Sequence, residues 1–304
     1  MTTSSAGLAR MVALALLWGS NFLWISYSLE GFSPLAVTTL RLALGALVLL
    51  VVLRAQGLRL PRDRSTWGHL TVAAVVTSTL PYWLFAQAEQ STPSSLAGAI
   101  NSTTPLWTLG FAYALRADRT VTVARITGLL IGFVGTLVLF APWNADGAPA
   151  GALLALAASA SYGVGFAYTG RYLIPRAQQP LVLATGQLMV ATVPALVLLP
   201  FGSPPINSPT AKATIAILVL GMLGTGIAYV VYYRIITDDG PVIASTVTYL
   251  LPIVAIVLGI TLNDEPFTWS LVVGSIVVVG GVVLTRVTAG RRPAPEVSAR
   301  ADPP

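Results

Sequence analysis

The sequence contains no cysteine, a single histidine and few charged residues. Without cysteine the chain can form neither disulfides nor thiolate metal sites, and thiol catalysis is excluded. The lone histidine, His69, and the lack of a carboxylate pair inside any apolar segment leave little for acid–base or metal chemistry. Neither a Walker motif nor a dinucleotide-binding glycine motif occurs, so ATP is not expected to drive the protein directly. We therefore expect no enzymatic activity, no cofactor and no metal.

Charge is scarce enough to define the class of protein. Only 9% of the 304 residues are charged, whereas a soluble domain carries about 25%. The chain is 55% hydrophobic and its mean hydropathy is +0.78. Most of the surface must face something other than water, so a multi-pass membrane protein is predicted, with the lipid bilayer as its surroundings. The net charge of +6 includes no basic run interleaved with aromatics, and no nucleic-acid partner is expected.

Apolar windows long enough to cross a bilayer recur ten times along the chain. They lack the alternation at every second residue that a lipid-facing barrel would show, so an all-α fold of ten transmembrane helices is predicted. The windows cover residues 8–28, 34–54, 67–88, 94–115, 123–142, 151–170, 180–200, 213–235, 241–262 and 269–287.

The distribution of Lys and Arg gives an orientation for these helices. If the N-terminus is cytoplasmic, 15 of the 17 basic residues fall inside, Lys212 alone lies outside, and Arg41 lies within the second helix. This agrees with the positive-inside rule, and both termini are expected in the cytoplasm. The inside residues are Arg10, Arg54, Arg59, Arg62, Arg64, Arg116, Arg119, Arg125, Arg171, Arg176, Arg234, Arg286, Arg291, Arg292 and Arg300.

An internal repeat relates the two halves of the chain. At a shift of 147 residues Tyr82 aligns with Tyr229, Pro105 with Pro252, and Asp118 with Glu265. Five helices in each half is an odd number, so the second half must be inverted relative to the first. Inverted halves around a midplane cavity suit alternating access, and the repeat favours a transporter; the alternative is duplication of a stable bundle. The polar, Pro-rich tail 289–304 is expected to be disordered.

Several segments resemble the two EamA repeats of the drug/metabolite transporter superfamily. They are "ALLWGSNFLWI", "TLRLALGALVLL", "SSLAGAINSTTPLW" with the stretch that follows it, and "LNDEPFTWSLVVGSIVVVGGVVL". The resemblance implies repeats at 8–142 and 148–288 and a bacterial inner-membrane permease that exports amino acids or other small metabolites. The first repeat departs from the family's usual Gly-Glu, because Asp118 stands where that Glu is expected. Asp118 and Glu265 lie at helix ends, where a carboxylate can cap the next helix, and both are interpreted as structural.

Polar side chains inside membrane helices are costly and are therefore candidates for function. Ser20 and Asn21 interrupt the first window; the Asn21 amide can hold a substrate ammonium or carboxylate, or form an interhelical hydrogen bond. Arg41, where the family usually has a basic residue, can anchor a substrate carboxylate. Alternatively it is clamped to backbone carbonyls, Glu30 or Glu89. The neutral Gln187 is its approximate repeat partner.

The remaining candidates are aromatic and polar residues near the centres of the windows. Tyr232, Tyr233 and Trp83 are assigned to interfacial belts, whereas the equivalent Tyr82 and Tyr229 can stack on a ligand. The small residues Gly128 and Gly132 are expected to permit close helix contact. The predicted substrate-binding set is Trp18, Asn21, Arg41, Tyr82, Asn101, Trp107, Tyr162, Gln187, Tyr229 and Thr248, with kinks at Pro105 and Pro252.

These observations predict a transporter that exports a small molecule, amino acids with aromatic or hydrophobic side chains first, without ATP. With no carboxylate at the midplane, facilitated diffusion or exchange is expected, and Glu30 and Glu89 are the only acidic candidates for proton linkage. A multidrug or sugar-type exporter of the same fold is the alternative, and a membrane-embedded enzyme or lipid-handling protein is a weaker one. The protein is expected to act as a monomer.

Overall fold

The computed structural model describes most of the chain and shows a bundle of helices. Every regular element within the described ranges is a helix, as the sequence predicts. The described residues are 5–92, 94–118, 122–140, 149–176, 178–202, 208–262 and 269–289. The predicted tail, Glu265 and Arg119 lie outside these ranges, apart from Ala289, which ends the last helix.

Fifteen α-helices are present in the described residues. The first eight are α1 (Ser5–Gly19), α2 (Asn21–Leu29), α3 (Pro34–Ala55), α4 (Arg64–Ala74), α5 (Leu80–Ala88), α6 (Ser94–Asn101), α7 (Thr104–Ala114) and α8 (Val123–Phe140). The others are α9 (Pro149–Tyr168), α10 (Pro180–Leu198), α11 (Ala211–Gly221), α12 (Ala228–Asp239), α13 (Pro241–Ser245), α14 (Val247–Leu262) and α15 (Trp269–Ala289).

Some of these helices are joined into longer helical segments. In the described part of the chain, six continuous segments are long and apolar enough to cross a membrane: 6–29, 34–55, 64–88, 149–176, 180–201 and 211–239. Shorter apolar helical stretches cover 123–139, 241–254 and 272–285. A multi-pass helical bundle is thus observed, and the count of ten crossings in two inverted repeats stays a prediction.

Several of the long segments are interrupted near their middle. Short π-helical stretches occupy Val75–Thr79 between α4 and α5, and Met222–Ile227 between α11 and α12. These two stretches begin 147 residues apart, which is the shift of the sequence repeat. A π-helical turn widens the helix locally and is frequent at functional sites.

The predicted proline kinks are realised differently in the two halves. Pro105 lies in the first turn of α7, directly after the break that separates α6 from α7. In the second half the chain breaks at Thr246, between α13 and α14, whereas Pro252 lies inside α14. The break at Thr246 lies six residues before Pro252, so the kink expected at that proline is found earlier in the chain.

Side-chain caps fix where several helices begin. The hydroxyl of Ser33 accepts a hydrogen bond from the N–H of Ala36 at 3.3 Å, with Pro34 in the first turn of α3. Asp63 caps α4 by accepting from the N–H of Thr66 at 2.7 Å. This hydrogen bond holds the pKa of the exposed Asp63 below its ordinary value.

Glycines allow α8 and α15, the last helix of each predicted repeat, to pack backbone to backbone. A Cβ added to Gly128 would lie 2.5 Å from Thr285 Oγ1 and 2.9 Å from the carbonyl oxygen of Gly281. Gly281 in turn faces the backbone of Gly132. The prediction that Gly128 and Gly132 permit helix contact is confirmed.

Ion pairs mark the ends of the bundle. At the predicted inner side, Nη2 of Arg10 on α1 lies 2.8 Å from Oδ2 of Asp238 on α12. At the predicted outer side, Nζ of Lys212 lies 2.6 Å from Oε1 of Glu30. Asp118 forms a buried ion pair with Arg125 of α8 at 2.9 Å. Asp118 therefore joins the segment before α8 to its first turn, which agrees with a structural role.

Candidate functional site

A cavity opens between α1, α2, α3, α5, α9, α12 and the breaks before α7 and α14. Its empty space is about 710 Å³, counted with the part that is open to the outside. Eight of the ten predicted site residues line it: Trp18, Asn21, Arg41, Tyr82, Asn101, Tyr162, Tyr229 and Thr248. Phe22, Ile25, Thr77, Phe85, Glu89, Phe166, Tyr232 and Leu251 complete the lining.

Arg41 is the basic residue of this lining, and the packing of α3 explains how it is held. At Gly45, one turn beyond Arg41, an added Cβ would lie 3.1 Å from the Gly221 oxygen and from the Gly226 nitrogen. This close approach brings Arg41 to the π-helical stretch, where its Nε donates to Thr225 Oγ1 at 3.1 Å. The residue is 4% exposed.

The guanidinium of Arg41 also contacts an aromatic ring of the cavity. Its Cζ lies 3.8 Å from the centroid of the Tyr82 ring, which is the geometry of a cation–π interaction. Of the two acidic partners considered for Arg41, Glu30 forms its ion pair with Lys212 and Glu89 lines the cavity. Arg41 is thus supported by a hydroxyl and a ring, and it contributes positive charge to the cavity wall.

Asn21 lies at the start of α2, directly after the helix is interrupted at Ser20. Its Nδ2 donates to the backbone oxygen of Gly224 at 3.3 Å, across the bundle and within the π-helical stretch. Gly224 has no side chain, and an added Cβ would collide with the Asn21 amide. Asn21 therefore makes the interhelical hydrogen bond weighed as its structural alternative and also lines the cavity.

Aromatic rings form one wall of the cavity. The ring centroid of Trp18 lies 6.5 Å from that of Phe166, 6.4 Å from that of Tyr229 and 5.7 Å from that of Tyr232. Tyr82 and Tyr162 meet edge to face at 6.4 Å. Such rings present apolar faces with a hydroxyl or N–H at the edge, and they suit an apolar or aromatic ligand.

The prediction that Tyr232 and Tyr233 lie in an interfacial belt is wrong. Tyr232 is 2% and Tyr233 0% exposed. Tyr229, Tyr232 and Tyr233 are spaced by three and four residues, so they lie on one face of α12. That face packs against the interior of the bundle, which the spacing from Tyr229 could have shown.

Asn101 and Thr248 enter the cavity from the two helix breaks. Asn101 ends α6, and its Oδ1 accepts from the Thr104 hydroxyl at 3.2 Å. The Thr248 hydroxyl donates to the backbone oxygen of Ser245 at 2.9 Å, and Thr246 donates to Ile243 at 2.7 Å. Thr246 thus satisfies its own helix, while Thr248 lies in the cavity lining.

The structure places Gln187 and Trp107 away from the cavity lining. Gln187 is fully buried behind it: Nε2 donates to Thr77 and to Ser78 Oγ at 3.1 Å, and Oε1 accepts from Tyr233. Trp107 is 38% exposed on the bundle surface. Trp107 lies in α7, across the break from Asn101, and is not among the residues that line the cavity.

The lining residues that the sequence did not single out are mainly apolar. Phe22 follows Trp18, Ile25 follows Asn21 and Phe166 follows Tyr162, each by four residues. Helical periodicity from the predicted residues would have found these three. Thr77 lies in a π-helical stretch, where the ordinary 3.6-residue period does not apply.

A helical bundle of membrane-spanning length around a central, partly charged cavity is an architecture that membrane transport proteins use. The EamA-like transporter family model matches residues 5–141 and again 149–287. Together these matches cover most of the chain, which belongs to the EamA-like transporter family.

Named relatives agree with this assignment, and a solved structure shares the fold. The uncharacterized inner membrane transporter YedA of Escherichia coli (strain K12) is 28% identical over 261 residues, covering 84% of this chain and 82% of the relative. The uncharacterized transporter YdfC of Bacillus subtilis (strain 168) is 26% identical over 271 residues, covering 88% and 87%. One crystal structure superposes with a TM-score of 0.77 at 23% identity, covering 93% of this chain and 99% of the other, and so shares the fold.

Proposed function

We propose that this protein exports a small metabolite that carries a carboxylate, amino acids first, across the bacterial inner membrane. The observation that carries the proposal is Arg41, a buried cation in the wall of a cavity lined mainly by aromatic rings. Placing Arg41 in a membrane helix costs about 2.5–3.5 kcal/mol on insertion scales. An anionic ligand would offset that cost, and the aromatic wall would hold its apolar part.

Alternating access between two inverted five-helix halves, 8–142 and 148–288, is the proposed mechanism. The 147-residue spacing of the two π-helical stretches and the double match of the family model support such halves. With both termini in the cytoplasm, Glu89 and the start of α3 lie at the outer side. The cavity that Glu89 lines then opens toward that side.

Counterflow of labelled amino acids in proteoliposomes tests this function. Wild-type protein is expected to exchange them, and Arg41→Gln to lose exchange by about tenfold or more, because a charged hydrogen bond is worth about 1.5–3 kcal/mol. Arg62→Gln is the matched control, since Arg62 is exposed in the segment before α4. Equal exchange by the Arg41 and Arg62 variants would refute the role of Arg41.

Energy coupling is proposed to be absent, so that the protein works as a facilitator or exchanger. The same vesicles, assayed with and without a pH gradient, decide the point. Exchange that strictly requires the gradient contradicts the facilitator proposal and assigns proton linkage.

Drug export is a second candidate because of the aromatic wall formed by Trp18, Phe166, Tyr229 and Tyr232. Stacked rings accept flat apolar molecules with little regard to their polar groups. Cells that express the protein, grown with toxic amino-acid analogues and with uncharged drugs, separate the two functions. Resistance to the drugs alone favours this second candidate.

A further inference from the structure

We propose that Glu89 is a second charged contact for the ligand, and that the substrate carries a cationic group several bonds away from its carboxylate. The inference rests on the proposed function, in which Arg41 binds the carboxylate. It narrows the substrate class from carboxylates in general to elongated zwitterions.

Glu89 shares a helix face with two other cavity residues. Tyr82, Phe85 and Glu89 are spaced by three and four residues on and directly after α5, so they lie along one stripe. The opposite face of α5 carries Trp83, Gln87 and Gln90, which border a separate groove with Pro34 and Phe201. The partly buried Glu89 is therefore directed to the cavity by the phase of its helix.

The position of Glu89 is poorly suited to stabilising α5 itself. It is the C-cap residue of that helix, where the exposed carbonyls make a negative end and a cation is the favoured side chain. The charged residues among the described lining of the cavity are Glu89 and Arg41. A negative and a positive group thus face the same space.

Tyr82, which contacts Arg41, and Glu89 lie at different heights along α5. Arg41 is held against Tyr82, and Tyr82 precedes Glu89 by seven residues, which is about 10 Å along the helix axis at 1.5 Å per residue. The ammonium of an α-amino acid is only two bonds from its carboxyl carbon and is too close to reach both charges directly. A ligand with a longer spacer can place its carboxylate on Arg41 and its ammonium on Glu89.

A ligand that carries one positive and one negative charge also fits the electrostatics of the site. An anion without a cation would compensate Arg41 but leave its own charge in the same cavity as the carboxylate of Glu89. Opposite charges at both ends remove that repulsion, and repulsion of this kind is how binding sites reject near-isosteric ligands.

Binding of two probes of equal chain length to purified full-length protein in lipid nanodiscs tests the proposal. 6-Aminohexanoate carries both charges, and hexanoate carries the carboxylate alone. Isothermal titration is expected to show that wild-type protein binds 6-aminohexanoate more tightly by about tenfold or more. Glu89→Gln should abolish this preference. Glu30→Gln should retain it, because Glu30 is exposed and paired with Lys212 outside the cavity lining.

Glu89→Asp provides a second measurement, which remains informative if the Glu89→Gln variant does not fold. The shorter side chain withdraws the carboxylate by one methylene, so the preferred ligand should shift from 6-aminohexanoate to 7-aminoheptanoate. A purely structural role for Glu89 would change both affinities equally.

The outcomes separate this inference from the proposed function. Preference for 6-aminohexanoate that survives Glu89→Gln, or its absence in wild-type protein, overturns the role of Glu89. Arg41→Gln should weaken binding of both probes. If it leaves hexanoate binding unchanged, the proposed carboxylate site fails whatever Glu89 does.

Discussion

Arg41 and Tyr82 form a cation–π pair in the cavity, with 3.8 Å between the guanidinium carbon and the ring centroid. The pair joins α3 to α5 and gives the buried cation a partner that does not cancel its charge. A carboxylate partner would occupy Arg41, whereas a ring leaves its donors available for a ligand.

The first prediction concerns the ring. Tyr82→Phe should bind ligand nearly as wild-type protein does, because the aromatic face is kept. Tyr82→Leu removes it and should raise the dissociation constant by roughly 5- to 30-fold, since a desolvated cation–π contact is worth about 1–2 kcal/mol. Titration of the purified variants measures the difference. Similar affinities for the Phe and Leu variants would show that the ring does not support Arg41.

The second prediction concerns the hydroxyl that holds Arg41. Thr225 Oγ1 accepts from Arg41 Nε and donates to the backbone oxygen of Leu220 at 3.0 Å. Thr225→Val leaves the guanidinium Nε without this acceptor and should cost about 1–3 kcal/mol in ligand binding or stability. Thr225→Ser keeps the hydroxyl and serves as the control. Unchanged affinity and unchanged thermal unfolding in the valine variant would contradict the prediction.

The third prediction tests the backbone contact of α8 and α15. Gly281→Ala places a Cβ 2.6 Å from the Gly128 oxygen, and backbone cannot move aside cheaply. We expect destabilisation of about 1–3 kcal/mol, seen as a lower unfolding temperature in detergent. The neighbouring Gly280→Ala is the matched control, because nothing lies within 4 Å of its added Cβ. Equal unfolding temperatures for the two variants would argue against the close packing.

The fourth prediction separates Gln187 from the ligand contacts. Gln187→Leu leaves the Tyr233 hydroxyl and the Thr77–Ser78 pair without their shared amide. Stability should fall by about 1–3 kcal/mol, whereas Gln90→Leu at the exposed end of α5 should change it little. A Gln187 variant of wild-type stability that no longer binds ligand would instead restore the direct contact expected from the sequence.

The fifth prediction uses the absence of cysteine, which makes any introduced thiol unique. Lys212→Cys should react with a membrane-impermeant maleimide added to intact cells, and Arg176→Cys should react only after the membrane is opened. Protection of Lys212→Cys together with labelling of Arg176→Cys in intact cells would reverse the proposed orientation.

Sequence patterns were sufficient for the coarse features of the site. Polar and aromatic residues such as Asn21, Arg41 and Tyr82 stand out in the sequence because bilayer-spanning helices are otherwise apolar. In the structure these three residues line the cavity. Gln187 and Trp107 stand out for the same reason but lie elsewhere. The sequence indicates that a polar side chain inside the membrane needs a polar environment. Only the direction in which the folded helix presents that side chain decides whether it faces the cavity or a neighbouring side chain.

The sequence by itself determined an all-helical membrane protein, because scarce charge and long apolar runs leave few other ways to satisfy the backbone. The resemblance to the EamA repeats came from its motifs. The tertiary structure decided what surrounds each polar group. The π-helical stretches shift the helix phase at Thr77 and Thr225, Gly45 lets α3 approach the second stretch, and the face of α12 turns Tyr232 inward. The contacts involved join residues that are distant in the sequence, such as Gly45 with Gly221 and Trp18 with Tyr232, and local periodicity cannot specify them.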